Sequence, residues 1–336
     1  LIRIDVFPSV CDNERMKAMF PRATTERRAG ERVLHGPEPR STELGIRTLT
    51  SIVTSLEQPS IRAIEPGFRS YGRKGTLEVR LAVTPREIDA AQALRYRVFY
   101  EEMSATADAE TRLRRRDVDL FDEFCDHLLV LDHALGRGEE TPLESVVGCY
   151  RLLRQDVAQR HSGFYTAGEY DVASLITLAD PSLRFVELGR SCVLPAYRTR
   201  PTVELLWHGI MSYVAEHGLD VMLGCASFEG TDPEKLAVPL SYLHHYHSAP
   251  PAWHVRAREE RYVDMNRIPQ ELISARDAVR LLPPVIKGYL RAGCYIGDGA
   301  VVDEQFGTID VLILCPVSQI TERYSSKFDP RVTAQG

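Results

Sequence analysis

The sequence predicts an α/β layered sheet, on three observations. Apolar alternation typical of strands takes turns with helical periodicity along most of residues 76–330. The stretch from Val186 to Trp207 runs as an apolar strand, a cationic turn and a helix. With 336 residues and 44% hydrophobic content, the chain can bury a sizeable core as one large domain or two modest ones.

Residues 1–75 are rich in Arg, Glu, Thr, Ser, Pro and Gly and are expected to be a mobile leader. The chain starts at Leu1 and its first methionine is Met16, so no function is assigned to this stretch. The ordered body is expected over 76–330. It opens on the alternating strand Leu77-Glu78-Val79-Arg80-Leu81-Ala82-Val83. A helix follows from about Pro85, with Ile88, Ala91, Leu94, Val98 and Phe99 on its apolar face. A charged loop (106–119) leads to two strands, 127–135 and 145–153, around a turn at Gly136 and Gly138. A helical patch (170–178) precedes the strand 184–194, which Pro195 ends. Pro201 opens a helix that stops at Gly218. A strand over 221–228, a Pro-rich helix over 277–291 and a buried strand over 309–317 complete the pattern as a C-terminal α/β extension.

The net charge is −6, and it is uneven: residues 1–75 carry 13 Lys/Arg against 9 Asp/Glu, the remainder 28 against 38. An acidic body argues against nucleic acid as a partner. Seven scattered cysteines without a CxxC pair read as reduced, buried thiols of a cytoplasmic protein. No stretch approaches the roughly 18 apolar residues needed to span a bilayer.

Glu187 and Arg190 interrupt an otherwise apolar strand. Such groups are tolerated in a central strand only if they pair with each other or face a cleft. The cleft reading makes Glu187 and Arg190 the catalytic candidates; the alternative is a structural ion pair.

The order strand, helix, two strands, then strand, turn and helix is that of the GNAT-like N-acyltransferases. Leu94-Arg95-Tyr96-Arg97-Val98-Phe99 with Glu101, then Asp119-Leu120-Phe121-Asp122, Gly148-Cys149-Tyr150-Arg151 and Glu187-Leu188-Gly189-Arg190 resemble, in order, the motifs of autoinducer synthases. Tyr197-Arg198, Val203-Glu204-Leu205-Leu206-Trp207, Gly224-Cys225-Ala226-Ser227, Leu282-Pro283-Pro284-Val285-Ile286-Lys287-Gly288-Tyr289, Gly297-Asp298-Gly299-Ala300 and Gln305-Phe306-Gly307-Thr308 are more closely similar to the bacterial ornithine N-acyltransferases, over about residues 77–328.

That resemblance implies transfer of a 3-hydroxyacyl group from acyl carrier protein to the α-amine of L-ornithine. The donor is carried on the carrier's phosphopantetheine and the enzyme binds no cofactor or metal of its own. The product is a lipid, which implies transient contact with the inner membrane surface. A thioester is already activated, so the enzyme must align the amine, take up a proton and stabilise the oxyanion. Glu187 is the expected general base. Asp119 and Asp122 are expected to bind the two amines of ornithine, Arg95 and Arg151 to orient those acids or clamp the carboxylate, and Phe99 to line the site. The turn Tyr197-Arg198-Thr199-Arg200-Pro201-Thr202 lacks the glycines of a pyrophosphate loop. Arg198, Arg200 and Thr202 are therefore expected to hold a single phosphopantetheine phosphate.

Two alternatives stand beside this reading. One is an autoinducer-type transferase using S-adenosylmethionine, although the tryptophan expected after Glu101-Glu102-Met103 is missing; the other is a non-catalytic binding module for a carrier protein or membrane surface. Three features are set aside. Ser191 sits in a sequence resembling a nucleophile elbow, but Val193 replaces its glycine. Cys192 on a buried strand is expected to be inert. His244, His245, His247 and His254 lack zinc-ligand spacing and are expected to serve packing.

Overall fold

The computed structural model describes residues 70–135 and 143–320. The expected leader (up to residue 69) and the turn at Gly136 and Gly138 lie outside these residues. A nine-stranded sheet forms the centre: β1 (Ser70–Lys74), β2 (Leu77–Leu81), β3 (Asp126–Asp132), β4 (Val146–Arg154), β5 (Phe185–Val193), β6 (Val221–Glu229), β7 (Tyr262–Val263), β8 (Tyr295–Asp303) and β9 (Thr308–Pro316). Their spatial order is β1-β2-β3-β4-β5-β6-β9-β8-β7, antiparallel throughout except between β5 and β6. β1 uses residues assigned to the leader by composition; short and polar, it is held because it hairpins onto β2.

Helix α1 (Pro85–Tyr96) begins where the sequence places it. Thr84 and Glu87 close a capping box and Pro85 occupies the first turn, so its exposed N–H groups are satisfied. The segment Arg97–Glu102 continues as a π-helical turn. This widening sends Phe99 inward and leaves Tyr100 to bond Asp117. The charged loop contains the short helix α2 (Ala109–Arg114), and α3 (Gln155–Ala158) and α4 (Val172–Leu178) follow. Helix α5 (Arg200–His217) ends at Gly218, whose φ of 56° is the left-handed conformation that glycine adopts most easily.

The C-terminal part adds α6 (Ala237–His247), α7 (Ala275–Leu281) and α8 (Pro284–Ala292). The expected single helix over 277–291 is thus two, because consecutive prolines at 283 and 284 remove the backbone donors that would carry one helix through. The last strand, β9, inserts beside β6 and completes the central sheet.

Strand β3 shows how the layers form. Leu128 and Val130 join the core beneath α5, whereas Leu129 and Leu131 join the one beneath α1. Residues two apart share a face, so this strand is apolar on both sides and covered on both.

Cys294 and Cys315 form a disulfide, with Cα atoms 4.3 Å apart. This corrects the expectation of seven reduced thiols. Tyr295 pairs with Leu314, so the next rung brings the two cysteines face to face. Cys125, Cys149, Cys192 and Cys225 are free.

Candidate active site

Strands β5 and β6 pair only from Phe185 to Glu187, against Val221 to Leu223. Beyond that point they part. At the apex, Gly224 lies so close to the Leu188 carbonyl oxygen that a Cβ would overlap it. The opening cleft holds about 620 Å³ of empty space, counting its solvent mouth.

A β-bulge turns the right side chains into this cleft. Cys149 pairs with Cys192 and Arg151 with Gly189, so Arg190 and Ser191 together oppose Tyr150. Arg190 has φ 47°, an uncommon conformation for a residue with a Cβ. Residues three apart on a regular strand point to opposite faces. With the bulge, Glu187 and Arg190 both line the cleft.

They do not pair with each other. The buried Glu187 carboxylate accepts hydrogen bonds from the backbone N–H of Tyr165 (2.7 Å) and of Thr166 (2.6 Å) and from the Thr166 hydroxyl. Burial raises its pKa above the ordinary carboxylate value, against the lowering effect of these donors and of Arg151. Arg190 pairs with Asp117 (3.2 Å) and Asp119 (3.1 Å) and lies over the rings of Tyr165 and Phe306, 4.7 and 5.2 Å from their centroids.

Behind Arg190 stands a charge network. Arg95, 1% exposed, bonds Asp122 with both terminal nitrogens (2.8 and 2.6 Å) and forms an ion pair with Asp117, Nε lying 2.8 Å from its carboxylate. Arg151 bonds Asp119 (2.5 Å) and Asp122 (3.0 Å). The cations hold the Asp117 and Asp122 carboxyls well below their usual range despite burial.

The expected roles of several residues change accordingly. Asp122 is enclosed by Arg95 and Arg151, and Asp119 is shared by Arg151 and Arg190; neither lines the cleft. They orient arginines and are not placed to receive the amines of ornithine. Arg95 is held by Asp117 and Asp122 and does not line the cleft, whereas Arg151 and Phe99 do, Phe99 edge-on to Phe306. Arg198 is bound at both ends of its guanidinium by Glu102 (2.6 and 2.7 Å) and bonds the Val193 carbonyl through Nε, which removes it as a phosphate ligand. Thr202 is fully buried, its hydroxyl 3.2 Å from that of Thr199, so that hydroxyl cannot reach a phosphate either. Arg200 sits half-exposed on the first turn of α5, bonded to Glu204.

The features set aside on sequence go elsewhere. Ser191 is fully buried. The Cys192 thiol is buried 3.6 Å from that of Cys149, and burial pushes its pKa well up, so it is no nucleophile. His245 bonds the Ile268 carbonyl, His247 the Tyr242 hydroxyl, and His254 approaches Asp298.

Sequence reasoning passed over Asp117, Tyr165, Thr166, Glu169, Asp303 and Asp310. All but Asp117 line the cleft. Asp310, a charged residue inside an apolar strand, carried the same signal as Glu187. The carboxylate oxygens of Glu169, Asp303 and Asp310 lie within 4.8 Å of one another.

An acetyltransferase (GNAT) domain family matches residues 94–208. The chain is similar to the L-ornithine N(alpha)-acyltransferases of Agrobacterium fabrum (52% identity over 258 residues, 77% of this chain and 87% of that one) and Rhizobium meliloti (53% over 259 residues, 77% and 86%). That of Rhodobacter capsulatus is 39% identical over 259 residues, 77% of this chain and 97% of its own. Among solved structures, an N-acyl amino acid synthase from uncultured soil microbes aligns with TM-score 0.40 at 10% identity, over 77% of this chain and 98% of that one.

Proposed function

This chain belongs to the L-ornithine N(alpha)-acyltransferases, and from that premise we propose that it takes a 3-hydroxyacyl group from the phosphopantetheine thioester of acyl carrier protein. The acceptor is the α-amine of L-ornithine. That amine arrives as an ammonium and must lose a proton before its lone pair can attack the thioester carbon. Glu187 takes the proton, directly or through a water. The new C–N bond forms, the C–S bond breaks, and the proton that the acylated nitrogen sheds passes to the departing thiolate. Arg190, on the same wall, clamps the α-carboxylate, a task suited to a planar guanidinium.

The observation that carries this reading is Glu187 itself: a buried carboxylate with a raised pKa, lining the cleft where β5 and β6 part. A base with a pKa above the ordinary carboxylate range accepts a proton more readily. Asp117, Asp119, Asp122 and Arg95 fix the guanidinium groups of Arg190 and Arg151 and are positioning residues.

The donor's single phosphate is assigned to Arg200 and the N-terminus of α5, without Arg198 or the Thr202 hydroxyl. Among the described residues no helix is long and apolar enough to cross a membrane. Leu113 (87% exposed) and Leu120 (73%), near Arg112 and Arg116, offer the surface for transient contact with the membrane that receives the product.

The test is thiol release from 3-hydroxyacyl carrier protein, with ornithine, lysine, glutamine and S-adenosylmethionine supplied in turn and products read by mass. An ornithine-dependent acyl amide is expected. Release from acyl-coenzyme A alone would remove the carrier protein from the proposal, and release with S-adenosylmethionine alone would move the chain to autoinducer chemistry.

A further inference from the structure

We propose that Glu169, Asp303 and Asp310 seat the side-chain ammonium of ornithine, so that the enzyme selects a diamino acid over the same carbon skeleton without the terminal nitrogen. The proposal rests on ornithine as the acceptor and assigns residues to its far end. Glu169 and Asp310 are buried, Asp303 is partly so, and all three line the cleft that contains Glu187.

Among the described residues these carboxylates differ from Asp117 and Asp122 in lacking a matched cation. Asp117 and Asp122 each meet two arginines. In the acidic cluster Arg261 approaches Glu169 at 3.6 Å, from a side chain that is 34% exposed. Asp303 accepts from two backbone N–H groups of its own turn, and Asp310 from the Thr308 hydroxyl. A second observation comes from the neighbouring strand. Ser227, 8% exposed, lies on β6 directly across from Asp310. Its buried hydroxyl stands beside that carboxylate and completes no hydrogen bond of proper geometry. Buried polar groups in native proteins are ordinarily well bonded, so a hydroxyl left without good hydrogen-bond geometry beside three clustered acids marks a place for a donor-rich cation.

Electrostatics agree. Burial, with Asp310 close by, pushes Glu169 up to about 7, and burial also raises Asp310. Like charges in a buried setting resist ionising together, and an incoming cation relieves them. A primary ammonium offers three donors and no acceptor, which matches three carboxylates converging from three segments. The length of ornithine then runs from Arg190 and Glu187 at the α-carbon to this acidic seat. Norvaline has the same carbon skeleton without the terminal nitrogen. It would leave the carboxylates unpaired, and sites built for a polar group reject the analogue lacking it by roughly 10⁴-fold.

The experiment compares kcat/KM for ornithine and norvaline in the full-length chain, alongside calorimetric binding of each amino acid without donor. Wild type is expected to favour ornithine by about 10³-fold or more. In Asp310→Asn and Glu169→Gln the ornithine value should fall about 100-fold and the preference should shrink by about the same factor. Asp303→Asn, at a partly exposed turn, covers the case in which a buried variant fails to fold, and a smaller reduction of the preference is expected there. A preference retained in the folded variants would overturn the proposal while leaving the acyltransferase reading intact. If the carrier-protein reading fails and no turnover is seen, tighter calorimetric binding of ornithine than norvaline still supports the seat, and equal binding overturns it. Activity abolished by a chelator and restored by Mg²⁺ or Mn²⁺ would also overturn it, giving the cluster to a divalent cation.

Discussion

The two charged regions of the site are built on opposite plans. On one, three arginines and three aspartates interlock until nearly every charge has a partner: Arg95, Arg151 and Arg190 with Asp117, Asp119 and Asp122. On the other, Glu187 is held by uncharged donors, and Glu169 and Asp310 have raised pKa values. A buried carboxylate whose cation is supplied by the fold serves as framework, here holding Arg190 and Arg151 in place. One whose partner is withheld is available to a substrate.

The largest test of this contrast is on the framework. Asp122→Ala leaves Arg95 and Arg151 buried without their shared acceptor, and loss of about 3–5 kcal/mol is expected in denaturant unfolding. A loss below about 1 kcal/mol would mean that the network is not what holds these arginines. Glu187→Gln should do the reverse: turnover should fall roughly 100-fold or more, with little change in melting temperature. Near-normal turnover would remove Glu187 from the chemistry.

The regions should also answer pH with opposite signs. Asp117 and Asp122 have lowered pKa values, so the stability they lend is present above the ordinary value of 3.8 and drains away as pH falls through the lowered ones. Glu169 is raised from 4.5 to about 7, so its contribution is full below 4.5 and lost as pH rises through about 7. Melting temperature should therefore gain roughly 2–4 °C between pH 8 and pH 5, and Glu169→Gln should flatten that gain. An unchanged slope in the variant would assign the effect elsewhere. The smallest effect is expected at the donor turn. Arg200→Ala should weaken use of the carrier protein a few-fold at low salt and less at high salt, since an exposed charge acts through a screened field. Salt-independent kinetics would leave the turn without a role.

Much of this was legible in the chain. The alternation of Leu128 to Leu131, the cap at Thr84 and the stop at Gly218 are local signals, and the elements formed close to where those signals stand. Glu187 was conspicuous because a carboxylate in an apolar strand needs an explanation. Asp119 and Asp122 were equally visible, but their partners were not. Residues 27 and 71 positions away hold Asp122 and Asp119, respectively, and only the folded sheet brings Arg95 and Arg190 to them. Asp303 and Asp310 were missed for a related reason. Their strands reach the site because β9 slots in beside β6, a pairing between residues 79 to 95 positions apart in sequence that no local pattern announces.

The parting of β5 from β6 has a consequence in terms of backbone valence. From Leu188 onward β5 keeps its neighbour β4, and from Gly224 onward β6 keeps its neighbour β9. Each therefore turns one unspent edge inward. Free strand edges are usually a liability, because they template pairing with foreign chains. Here two of them flank the same cleft, and what they offer is a row of peptide donors and acceptors along its walls. A guest with amide groups of its own, threaded between them, could complete the ladder that the fold leaves open.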